Sequence, residues 1–140
     1  MTSKQPSKAE DWVERAKAFY AATGKEIALA EFTNPRGQFV QNQQYIFVLD
    51  LEGNMLAHGM NQWYVGKNFI EVKDTTGKKF IREIVNTAKE KGAGWIDYDW
   101  SDPVTKKSKP KTLYFEKVDN MVICCGTYRE IPDPSELELL

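Results

Sequence analysis

Tyr45-Ile46-Phe47-Val48-Leu49-Asp50, then Leu51-Glu52-Gly53-Asn54, then Met55-Leu56-Ala57-His58, is the stretch from which the fold is read. Consecutive β-branched and aromatic residues suit a pleated strand. Asp50 to Asn54 supplies turn residues, and Met55 to His58 forms the return strand, so a hairpin is predicted. Both faces of Tyr45–Leu49 are apolar, as are both faces of Met121-Val122-Ile123-Cys124-Cys125. Strands of that kind belong to a sheet covered on both sides.

Working outward, Ser7 and Glu10 stand at capping-box spacing, and Trp12, Ala16, Phe19, Thr23, Ile27 and Ala30 follow at steps of four and three. They predict one long amphipathic helix over 7–34, about 35 to 40 Å in length, stopped by Pro35. Gly24 near its middle costs about 1 kcal/mol and marks a bend. Residues 59–76 mix Gly, Asn and Lys with isolated apolar residues and are expected to form an ordered connection across the sheet. A second helix is indicated by Phe80, Ile81, Ile84, Val85 and Ala88 on one face, with Gly92 as its stop. Three further strands are predicted at Trp95–Trp100, Thr112–Val118 and Met121–Tyr128, the last two joined by Asp119-Asn120. The sum is an α+β domain. It has a central antiparallel sheet of about five strands, the long N-terminal helix on one face, and the second helix with loops on the other. A cover made partly of loop is where a small cavity is easiest to leave.

With 140 residues the chain is expected to form one domain, residues 129–140 being an acidic tail without an assignable site. A formal net charge of -1 offers no footprint for nucleic acid. No apolar run approaches the roughly 20 residues of a membrane span, and Met1 to Glu10 is too polar for a secretory signal, so a soluble chain is expected. Cys124 and Cys125 are adjacent and read as small residues of a buried strand, because a bridge between neighbours closes almost no loop. With one His there is no zinc set, and Gly77-Lys78 lacks the rest of a phosphate loop. Neither metal nor cofactor is expected.

The ordered positions Tyr45 to Asp50, Gly53, Ala57-His58, Gly66-Lys67-Asn68, Lys73-Asp74, Gly77-Lys78, Gly92, Gly94-Trp95, Asp97-Tyr98, Trp100, Pro103, Thr105, Lys109-Pro110-Lys111, Tyr114 and Gly126-Thr127-Tyr128 resemble the single Cache domain, type 2. The resemblance runs from about Asp11 to Tyr128. It implies a PAS-like extracytoplasmic sensor fold with a pocket between the sheet and its covering loops and helix. Such domains are typically the sensing parts of bacterial chemoreceptors and histidine kinases, or free-standing exported domains, and those studied bind small organic acids. The resemblance implies no enzymatic activity, and it implies the periplasm, with the cytoplasm as the alternative. Two departures bear on pocket shape: Gly59-Met60 stands where Pro usually follows the pocket His, and Cys124-Cys125 stands where small residues usually precede the final Gly.

A small carboxylate needs fixed donors in an otherwise apolar cavity, because its charge is costly to bury unpaired. His58 and Lys111 are the candidate donors, and the resemblance matches both to the family's pattern. Otherwise His58 would be a satisfied core histidine and Lys111 part of a solvated basic hairpin, to which Lys106, Lys107 and Lys109 are assigned. Ile96, Tyr98 and Trp100 share one strand face, with Trp95, Asp97 and Asp99 on the other. Tyr98, Trp100 and Tyr114 are the expected aromatic walls, followed by Tyr45 and Tyr128; core packing is their plainer use. Asp74 reads as the cap of the second helix.

The expected function is therefore a sensory domain for a small organic anion in signal transduction or chemotaxis. One rival is an interaction module pairing two copies through the N-terminal helix. Another is a small acid-base enzyme joining His58 to Asp97 or Asp99.

Overall fold

The computed structural model describes residues 7–41, 44–101 and 107–128, with side chains at all of these except positions 7, 8, 101, 108, 127 and 128. The segment read first is the hairpin of β2 (Gln44–Asp50) and β3 (Met55–His58), in which Phe47 stands opposite His58 and Val48 opposite Ala57. Asp50 organises its turn: one carboxylate oxygen accepts from the backbone N–H groups of Glu52 and Asn54, at 3.0 and 2.9 Å. β4 (Ala93–Ser101), β5 (Ser108–Val118) and β6 (Met121–Tyr128) complete the sheet with the short β1 (Val40–Gln41), in the antiparallel order β1-β2-β6-β5-β4. β5 begins at Ser108 rather than Thr112, so Lys109 and Lys111 lie within the strand.

Both faces of the sheet are covered, as the doubly apolar strands require. On one face Phe47, Leu49, Leu113, Phe115 and Cys124 pack against α3 (Phe80–Lys91) through Phe80, Ile81, Ile84, Val85 and Ala88. On the other, Ile46, Val48, Ile123 and Cys125 pack against Trp12, Val13 and Ala16 of α1 (Ser7–Thr23) and Ala28 and Phe32 of α2 (Lys25–Thr33).

The single long helix is thus corrected to two. Gly24 caps α2 at φ 90 and ψ 168, a region nearly exclusive to glycine. The break turns Ala28 and Phe32 inward, while Ile27 and Ala30, expected on the apolar stripe, are exposed, Ile27 by 58%. Phe32 then stacks edge-on to Phe39 at 4.9 Å. Among the described residues no helix is long and apolar enough to cross a membrane.

The connection from β3 to α3 is ordered, as expected, and includes a 3-10 turn at Gln62–Tyr64. Near its middle, Gly66 N–H donates to Met55 O, Met55 N–H to Lys67 O and Phe69 N–H to Gly53 O, each at 2.9 Å. Asp74 anchors its end. One carboxylate oxygen accepts from Thr76 N–H (2.9 Å), Thr76 Oγ1 (2.7 Å) and Lys78 N–H (2.8 Å), and the other from Asp99 N–H of β4 (3.1 Å). These bonds outweigh the cost of burial and hold its carboxyl down to about 2. Asp74 is therefore no helix cap: Lys79 caps α3 without a side-chain bond. Its four donors come from the preceding loop and the sheet edge.

Candidate functional site

The α3 face of the sheet carries the candidate site. Alternation along β2 sends Tyr45 and Phe47 to that face, the pairing with Phe47 brings His58 beside them, and β5 contributes Lys111 directly opposite Tyr98 of β4. Lys111 is only 2% exposed. Its Nζ donates to the Tyr45 hydroxyl at 2.8 Å and lies 4.8 Å from the Tyr45 ring centre and 5.9 Å from that of Tyr98. Both phenols are pushed well above the usual tyrosine range, chiefly by burial, so both stay protonated at neutral pH. The Tyr45 oxygen accepts from Lys111 and keeps its own proton for a second partner.

His58 is set from two sides. Its ring lies 4.8 Å from Tyr45, stacks on Phe47 at 5.6 Å and meets Tyr64 edge-on at 5.0 Å. Nδ1 accepts from the backbone N–H groups of Asn61 (2.9 Å) and Met60 (3.3 Å). That bonding assigns the proton of the neutral ring to Nε2. Burial first, and then the Lys111 charge, bring the imidazole down to about 3, so at neutral pH it is an uncharged donor. Phe80 of α3 closes a wall by stacking on Tyr98 at 4.2 Å and meeting Trp100 at 5.3 Å. Together these groups offer an ammonium, an imidazole N–H and phenolic O–H donors among aromatic rings. Such a set suits an anion with an apolar body.

The structure thus brings His58, Lys111, Tyr45, Tyr98 and Trp100 to one face. Tyr114 is a correction. It points to the α1 face, where its ring lies 5.0 Å from Trp95 and its hydroxyl donates to Glu116 at 2.6 Å; Glu116 also accepts from Lys17 of α1 at 2.7 Å. Lys111 and Tyr114 are three positions apart on one strand, an odd step that sends them to opposite faces. Tyr128 has its backbone opposite Lys111, but its side chain lies outside the described residues, as do Pro103, Thr105, Lys106 and the acidic tail.

Asp97 also takes the face away from Tyr98, accepting from Thr112 Oγ1 at 2.7 Å, and Asp99 shares its strand parity. The acid-base pairing with His58 that the rival enzyme reading requires is therefore not formed. Sequence reasoning missed Phe47, Tyr64 and Phe80. In the sequence Phe47 and Phe80 read only as strand and helix core. Tyr64 sits in the connection whose conformation no periodicity announces.

Among the described residues no group of three or more His, Cys, Asp or Glu side chains is placed to hold a metal ion. Cys124 and Cys125 are buried free thiols, both raised by burial, Cys125 to about 11. The large apolar residues of α1 turn toward the sheet: Trp12 and Val13 are buried and Phe19 half-buried.

A family model described as single Cache domain 2 matches residues 15–133. The sensor histidine kinase MctS of Rhizobium johnstonii is 33% identical over 86 residues, covering 60% of this chain and 18% of the kinase, so the chain spans less than a fifth of that relative. A methyl-accepting chemotaxis protein of Vibrio parahaemolyticus superimposes with a TM-score of 0.74 at 21% identity over 89% of this chain and 88% of its own. A periplasmic sensor domain of a chemotaxis protein gives 0.66 at 26% identity over 86% and 88%. A Cache chemosensory domain solved for its carboxylic acid recognition gives 0.67 at 24% identity over 89% and 88%.

Proposed function

The chain belongs to the single Cache domain 2 family, and from that premise we propose that it senses a small organic acid, bound as the carboxylate between Lys111 and His58. The observation that carries the reading is the Lys111 ammonium, 2% exposed and 2.8 Å from the Tyr45 hydroxyl, near a neutral His58 whose proton is assigned to Nε2 by the bonds at Nδ1. A carboxylate is an acceptor only, so it matches the donors that Lys111, His58 and Tyr45 offer on one face of the sheet. Tyr98, Trp100 and Phe80 would enclose its carbon skeleton. An α-amino acid fits less well: Asp74, a buried carboxylate that could meet its ammonium, already accepts from four donors. The likeness to chemoreceptor and kinase sensor domains supports a place in a chemotaxis or sensor-kinase receptor, with the domain on the periplasmic side of the membrane.

The test is a thermal-shift titration with acetate, propionate, succinate and alanine, since a ligand held only by the folded state raises the melting temperature. A saturable rise with a carboxylate that disappears in Lys111→Ala and His58→Ala supports the proposal. A shift with alanine and none with the carboxylates, or no shift with any of them, overturns it.

A further inference from the structure

We infer that Gly126 is a positioning residue for the Lys111 ammonium, its missing side chain leaving the lane through which Lys111 reaches Tyr45. The inference rests on the reading above only in making that ammonium the group that meets the anion.

The path follows from strand order. Lys111 stands on β5 and Tyr45 on β2, with β6 between them, so the hydrogen bond from Nζ to the Tyr45 hydroxyl spans two strand spacings, about 9 to 10 Å. The register puts Gly126 of β6 opposite Tyr45 on one side and Leu113 on the other. The lysine stem therefore crosses β6 diagonally, over Gly126. A Cβ built there would lie 3.1 Å from Lys111 Cε, 3.2 Å from Leu113 Cδ1 and 3.6 Å from Lys111 Nζ. The first two distances are tight enough that the neighbours must give way, and the freer of the two is the far end of the lysine.

Backbone conformation does not explain the glycine. Five glycines have positive φ, and Gly126 is not among them. A glycine inside a strand otherwise forfeits side-chain packing and costs chain entropy, and its usual meaning is close approach by another group. Here that group is the side chain that carries the positive charge. Residue 126 thereby sets how far the ammonium extends toward Tyr45 and His58, and with it the depth at which an anion is held.

Two measurements on the full chain test this. Without ligand, melting temperatures of Lys111→Met, Tyr45→Phe and the double variant are compared in the Gly126 and Gly126→Ala backgrounds, with Gly126→Val as a stronger block. Positioning predicts that the two effects are non-additive with glycine and move toward additivity once residue 126 has a side chain. Additivity in every background, or the same non-additivity in all, overturns it.

With acetate as the probe, Gly126→Ala is expected to weaken binding roughly tenfold, as misplacing a charged donor should, while the unliganded chain melts within a few degrees of the parent. In a Lys111→Met background the same substitution changes nothing further. Unaltered acetate affinity in Gly126→Ala overturns the inference. Absence of acetate binding by the unsubstituted chain counts against the functional proposal alone, and the ligand-free cycle then decides the role of Gly126.

Discussion

Replacing Lys111 by Met separates binding from folding in this domain. Met keeps most of the unbranched stem that crosses the sheet and removes the charge, so packing changes little. In the unliganded protein the ammonium is 2% exposed among Tyr45, Tyr98 and the aromatic rings around them, and its loss relieves a desolvation cost. Against this, the Tyr45 hydroxyl loses a donor at 2.8 Å, worth about 1 kcal/mol, and Tyr98 loses its own contact with the ammonium. The unliganded variant should therefore melt within a few degrees of the parent. Binding behaves differently, because His58, lowered to about 3, supplies no charge at pH 7. A carboxylate bound as proposed would lose a charge-assisted hydrogen bond of about 1.5–3 kcal/mol, which is roughly a 10- to 150-fold rise in Kd. Isothermal titration with acetate at pH 7, alongside thermal melts monitored by circular dichroism, reads both quantities. Because the site is buried, the parent affinity should respond weakly to salt. Acetate affinity in Lys111→Met within twofold of the parent would refute the reasoning. A collapse of the unliganded fold would show instead that the lysine is chiefly structural.

Three further outcomes are expected. His58 binds its proton less readily folded (about 3) than unfolded (about 6.5), so the unfolded chain takes up more protons across that window; stability is complete above it and declines as pH falls through it. Urea melts should show His58→Phe losing about 2 kcal/mol less than the parent between pH 6.5 and 5; equal losses would refute this. Asp74→Asn replaces an acceptor with a donor facing one of its four partners and should cost about 2 kcal/mol, or roughly 5 °C in Tm, with faster amide exchange at Thr76, Lys78 and Asp99. In the parent that stability is present above about pH 4 and fades as pH falls toward 2, a decline the Asn variant should lack. Gly24→Ala should destabilise by about 1–3 kcal/mol in denaturant melts, because φ 90 and ψ 168 exclude a side chain; a stabilised variant would instead favour a continuous helix.

Much of this architecture was legible in the chain because the signals are local. The doubly apolar runs at Tyr45–Leu49 and Met121–Cys125 announced a sheet covered on both faces, and Phe80, Ile81, Ile84, Val85 and Ala88 marked the one stripe that α3 buries. Strand parity alone would also have set Tyr114 apart from Lys111. Gly24 was readable as a bend but not as a helix end, because propensity is a weak prior and the packing of Phe32 against Phe39 decides where α2 points.

Sequence by itself determined the element types, the two-sided sheet and the presence of His58, Lys111 and the aromatic residues of β2 and β4. Only the tertiary structure decided which of them meet. The alignment of Lys111 with Tyr98, its path over Gly126 to Tyr45, and the turn of Tyr64 onto His58 depend on pairings between distant segments. A strand's own period of two says which face a residue takes, but not which residue of another strand it will face there.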